Sequence, residues 1–159
     1  MPYSTELKCG AAAILGIVLM SGAATASPGN GVTPETFVTA GLLDEADINH
    51  DRVKLQTKDA TTVRVQKLTF AAGAFTGWHH HPGAVIVAVQ SGSVTLVDEN
   101  CSTKTYGPGM PDGSVFVEGH DESHEARSAS GATVYVTYVV PNAGAVPIVR
   151  IEDAARSCP

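Results

Sequence analysis

Basic residues are scarce in this chain: ten Lys and Arg stand against sixteen Asp and Glu, for a net charge of −6 at pH 7. Phosphate backbones require a concentrated positive face, so this balance argues against nucleic acid as a partner. No segment forms a basic amphipathic helix for a membrane surface either. Cysteine is scarcer still, with three residues and no C-x-x-C pair, which removes the usual zinc-ribbon and thiol-redox arrangements. A G-x-S-x-G elbow and a Gly-rich phosphate loop ahead of a helix are both missing, and with them the corresponding hydrolase and nucleotide-binding chemistry. Helical periodicity is lacking after residue 45, apart from one candidate turn around Ile151–Arg156.

What is present begins with a leader-like segment. Polar residues up to Lys8 precede the apolar run Ala11–Met20 and the small-residue stretch Ser21–Ala26. That run is about half the ~20 residues a spanning helix needs, and Ala24-Thr25-Ala26 has the small-x-small form of a cleavage site. The expectation is a signal peptide over residues 1–26, cleaved after Ala26, and a secreted or otherwise extracytoplasmic protein with no membrane segment after cleavage. Cys9 precedes the apolar run, whereas a lipoprotein cysteine would follow it. Cleavage removes Glu6 and Lys8 together and leaves the charge at −6. Cys101 and Cys158 then remain, and an even pair in an exported chain points to a disulfide. Such a bridge would staple the tail to a mid-chain loop and contribute on the order of 3–5 kcal/mol.

Residues 27–51 read as an N-terminal linker and a short helix. Thr33, Pro34 and Glu35 have the form of an N-cap, a first-turn proline and an early acid, so the spacing predicts a helix through about Ala40. Leu42–Asp51 reads as acidic and irregular. From Arg52 to the end, residues 52–159 read as one β-domain. Short stretches rich in Val, Thr, Phe and Tyr recur at Arg52–Thr57, Thr62–Phe70, Ala84–Gln90, Ser93–Asp98, Ser114–Glu118, His124–Ser128 and Thr133–Val140. Gly, Pro, Asn and Asp separate them, which is the pattern of an all-β sandwich or barrel.

Chemistry concentrates in the histidines. In Gly77-Trp78-His79-His80-His81-Pro82, strand alternation puts His79 and His81 on one face and His80 on the other. Two imidazoles on one face make half a metal site. His80 is expected in solvent or packed beside Trp78, and His50, in a polar stretch, at the surface. A second group lies in Gly119-His120-Asp121-Glu122-Ser123-His124.

The spacing of these residues resembles the cupin superfamily. Gly73-(five residues)-His79-x-His81-(three residues)-Val85-(six residues)-Gly92 matches the first cupin motif except at Val85, where the motif has glutamate. Gly113-(five residues)-Gly119-x-Asp121-(two residues)-His124-(three residues)-Ser128 is similar to the second motif, with Gly119 for a proline, Asp121 for a glycine and Ser128 for an asparagine. The resemblance implies a double-stranded β-helix, a jelly-roll cupin barrel, with one divalent metal held inside by His79, His81 and His124. Three neutral imidazoles suit Fe(II), Mn(II), Ni(II) or Zn(II) and leave open positions for a small anionic or chelating molecule. Val85, Val87 and Val89 share a strand face and would make an apolar pocket wall behind the metal. Of Tyr135 and Tyr138, on opposite faces of a late strand, only one can enter the pocket.

Glu118 is the one carboxylate on its strand. It could face either side: facing inward it would replace the missing acid or act as a general base, while the exposed face costs a charge less and is favoured, so it is expected beside the site or at its rim. His120, in the loop before His124, is a rim residue, a residue that hydrogen-bonds a ligand and orients it, or a substitute ligand. Three functions stay open: a metal-binding cupin with a small-molecule ligand, a metal-dependent oxygenase or isomerase (three-histidine cupins include iron-dependent thiol dioxygenases), and a non-catalytic interaction module whose edges pair two chains into a homodimer.

Overall fold

The computed structural model describes residues 29–42, 44–119, 121–142 and 146–158. The leader expected over residues 1–26, and His120, lie outside them. All regular structure among the described residues is β, in twelve strands. Strands β1 (Asn30–Leu42), β4 (Thr61–Phe75), β11 (Ala132–Pro141), β6 (Ala84–Gly92) and β9 (Val115–Glu118) pair in that order to form one antiparallel sheet. Strands β12 (Ile151–Glu152), β5 (His79–His80), β10 (His124–Ser128), β7 (Val94–Asp98) and β8 (Thr103–Tyr106) form a second. The end of β4 also pairs with β10, Phe75 opposite Arg127, and this joins the two sheets into a nearly closed barrel. A separate hairpin, β2 (Asp47–His50) with β3 (Val53–Gln56), stands outside it.

The period-two pattern explains the packing. Along β11, Ala132, Val134, Val136, Tyr138 and Val140 are buried while the residues between them face out. Val85, Val87 and Val89 on β6 point into the same core, which Phe70, Phe116 and Val94 complete. Interior positions on facing sheets interdigitate, which is how two amphipathic sheets bury their apolar sides together.

Three local expectations are overturned. The short helix is a strand: β1 runs alongside β4 from Asn30 to Leu42. Thr33, Phe37, Val38 and Thr39 favour extended backbone, and Pro34, which lacks an N–H, is accommodated because β1 has no partner other than β4 among the described residues. The barrel therefore begins with this strand, ahead of residue 52. Asp47–His50 is a hairpin strand and not irregular chain, because Ile48 faces Leu55 across the pair. The candidate helical turn at Ile151–Arg156 is instead a two-residue strand followed by extended chain. Phe37 stacks on Tyr135, ring centroids 6.0 Å apart, and ties β1 to the sheet. Phe37→Ala should cost about 1 kcal/mol in urea denaturation; an unchanged midpoint would deny that role.

The motif glycines have backbone reasons. Gly92 has φ 71° and a Cβ there would stand 2.1 Å from the Gly131 carbonyl oxygen, so no other residue fits without rearrangement. In the second motif Gly119 has φ 153°, which proline cannot adopt, and Asp121 keeps a left-handed φ of 57° where the motif has glycine.

Candidate metal centre

His79 comes from β5, His81 from the turn after it, and His124 from the start of β10, which pairs with β5 so that His124 sits opposite His79. All three rings are buried, at 4%, 3% and 5% exposure. One ring nitrogen from each lies within 4.8 Å of the others. His80 points the other way, as alternation requires, and its Nδ1 stands 2.9 Å from the Asp153 carboxylate.

Hydrogen bonding fixes the tautomer of every ring. Nδ1 of His79 meets the Gly77 carbonyl at 2.8 Å, that of His81 meets Val149 at 2.6 Å, and that of His124 meets Glu122 at 2.9 Å. A carbonyl oxygen only accepts, so each Nδ1 carries the hydrogen and each Nε2 presents a lone pair. Nε2 of His81 and of His124 has no hydrogen-bond partner although both are buried. Burial, with the nearby Arg150 charge second, pushes the His79 pKa down to about 2. Burial likewise lowers that of His124.

Glu118 faces inward, against the outward placement its charge suggests. Its side chain is 8% exposed, with one oxygen 3.3 Å from His81 Nε2 and the other 3.3 Å from His124 Nε2. The reason is register: on β9 Glu118 lies directly opposite Val85 of β6, and directly opposed residues share a face. The carboxylate that the first motif lacks at Val85 thus arrives from the neighbouring strand. The signal was ambiguous in sequence, because in Val115-Phe116-Val117-Glu118 either alternate set has an apolar member. The structure makes Phe116 the buried one and leaves Val117 68% exposed.

Beside the histidines lies a cavity of about 60 Å³. Its wall includes Leu68, Phe70, Val87 and Val136, with Tyr138 and Arg150 near the polar end. Of the expected pocket valines, Val87 lines it directly, while Val85 and Val89 lie in the packed core on the same face. Tyr138 is the tyrosine that enters; Tyr135 is on the outer face. Burial pushes the Tyr138 hydroxyl up to about 12, with the Glu118 carboxylate adding to it. Arg150 was not singled out from the sequence, where an isolated cation near the C-terminus carries no spacing signal.

Two antiparallel sheets closed into a barrel, with the spaced histidines of both motifs meeting inside one end, settle the architecture. The fold is a nearly closed antiparallel barrel of the cupin jelly-roll kind. No family model matches the chain, and no curated protein matches it. Solved structures resembling this chain include a cupin superfamily protein from Desulfitobacterium hafniense, at 11% identity and TM-score 0.49, covering 73% of this chain and 84% of that one. Another is a conserved protein of unknown function from Streptococcus pyogenes, at 16% and 0.48, covering 70% and 76%. A third is a salicylate 1,2-dioxygenase from Pseudaminobacter salicylatoxidans, at 14% and 0.47, covering 71% of this chain. This chain spans 27% of that enzyme's length.

The predicted staple is present: Cys101 and Cys158 are bridged, with Cα atoms 5.3 Å apart.

Proposed function

We propose that this chain is a cupin that holds one divalent metal ion through His79, His81 and His124, with Glu118 as a fourth donor, and binds a small anionic molecule beside it. The observation that carries the reading is the set of bare lone pairs. Nε2 atoms stripped of water and of hydrogen-bond donors face a carboxylate that is also an acceptor, and acceptors repel one another unless something positive lies between them. Separations of 3.3 Å from Glu118 to two of the nitrogens are those of neighbouring ligands around a first-row ion, whose bonds are about 2.1 Å. Imidazole with one carboxylate suits Fe(II), Mn(II), Ni(II) or Zn(II).

When bound, such an ion supplies Lewis acidity and open coordination positions. The chain's own residues do the rest. The three carbonyls that hold each Nδ1 orient the rings, as outer-shell partners do in metal sites generally. Apolar side chains around the cavity exclude water. Arg150 lines the cavity with its positive charge, which favours an anionic group on a ligand whose body is apolar. Export, with cleavage after Ala26, belongs to the same proposal; the disulfide supports it, since such bridges persist outside reducing compartments.

Metal content of protein purified without a histidine tag tests the reading. One divalent ion per chain is expected in the wild type and less than about a tenth of that in His81→Ala, which removes a ligand outright. Equal content in the two proteins would remove the metal assignment.

A further inference from the structure

Two of the three histidines are oriented by their own surroundings. Nδ1 of His79 and of His124 each donates to the carbonyl two residues earlier, Gly77 and Glu122. His81 is different: its Nδ1 donates to the Val149 carbonyl, 68 residues further along the chain. That carbonyl lies at the head of a C-terminal strap, Val149–Cys158.

The strap lies along the histidine segment. Ile151 and Glu152 pair with His80 and His79, and the Asp153 amide donates to the Trp78 carbonyl at 3.0 Å. Asp153 also holds His80, and Arg150 Nη2 donates to the Thr76 carbonyl at 2.6 Å. Arg156 lies over the Trp78 ring at 5.7 Å and 3.7 Å from Glu99. None of these contacts is deeply buried: strand β12 has only two residues, and Ile151–Cys158 are all exposed or half-buried. An exposed segment with few buried contacts opens at low cost unless it is tied down. The tie is the bridge from Cys158 to Cys101, in the turn between β7 and β8.

We infer that the strap is a positioning element of the site, and that the Cys101–Cys158 bridge fixes the orientation of His81 while leaving His79 and His124 to their own turns. Without the bridge the Val149 carbonyl is released and His81 loses its acceptor. The ring then turns freely and its tautomer is no longer set. The consequence for metal affinity rests on the proposed function; the consequence for His81 itself does not.

The experiment compares the wild type with the Cys101→Ser/Cys158→Ser double variant, both metal-free, by nuclear magnetic resonance of the histidine ring N–H groups. Three slowly exchanging Nδ1–H signals are expected in the wild type. In the double variant the His81 signal alone should vanish into fast exchange. Persistence of all three signals, or loss of all three in a chain whose near-ultraviolet circular dichroism matches the wild type, overturns the inference. If the double variant fails to fold, the folded wild type with its Cys101–Cys158 bridge reduced by a mild thiol is read by the same criterion. A parallel titration with Co(II) should show affinity about tenfold weaker in the double variant, the low end of what outer-shell losses cost. A wild type that binds no Co(II) defeats the metal reading and leaves the ring measurement to decide the strap's role.

Discussion

Glu118→Val should weaken metal binding about a hundredfold, and adding Val85→Glu to the same chain should restore most of it. The two positions are directly opposed on β9 and β6, and both face the interior. Opposed residues have Cβ atoms about 5 Å apart, so a glutamate at either position can aim its carboxylate at the same group of nitrogens. Removing one member of a buried charged set costs about 3 kcal/mol, or about a factor of a hundred in affinity. Val85→Glu alone has the opposite fault. Val85 is fully buried, and a second carboxylate beside Glu118 would destabilise the metal-free chain by about 3–5 kcal/mol, the cost of an uncompensated buried charge. Competition against a chelator reads the affinities, and urea denaturation reads the stabilities. A double exchange that binds no better than Glu118→Val would show that the opposed carboxylates are not interchangeable.

Acidification should destabilise the metal-free protein steeply. Burial holds the folded-state pKa of His79 down at about 2, against about 6.5 in an unfolded chain. Between those values the unfolded chain binds a proton that the folded chain refuses, so stability is complete above about pH 6.5 and falls as pH falls. From pH 7 to pH 4.5 His79 alone accounts for about 2.5 kcal/mol, approaching 1.4 kcal/mol per unit at the acid end. His124, lowered by the same burial, acts in the same direction. Urea denaturation at the two pH values, in wild type and His79→Gln, isolates the effect, because the glutamine variant should lose less. An equal loss in both would assign the acid sensitivity to other groups.

Much of this was written in the chain. Alternating Val, Thr and Tyr in Thr133–Val140 and Ala84–Gln90, broken by glycine-containing turns, dictate strands because only period two puts those residues on one face. His79-x-His81 shares a face by the same rule, and an even cysteine pair suggested the bridge. Residues with two local preferences were harder to read. Thr33-Pro34-Glu35 carries both a helix-start pattern and β-favouring neighbours, and pairing with β4 chose the strand.

The sequence alone determined the all-β class, the face shared by His79 and His81, and the candidacy of His124, because strand alternation and motif spacing are local properties. Tertiary structure decided which way Glu118 points, since that depends on the register of β9 against β6 and not on anything within β9. It also decided that Val149, Arg150 and Asp153 reach the histidines. Contacts separated by some seventy positions leave no periodic trace in a chain and exist only once the barrel closes and the tail is tied across it.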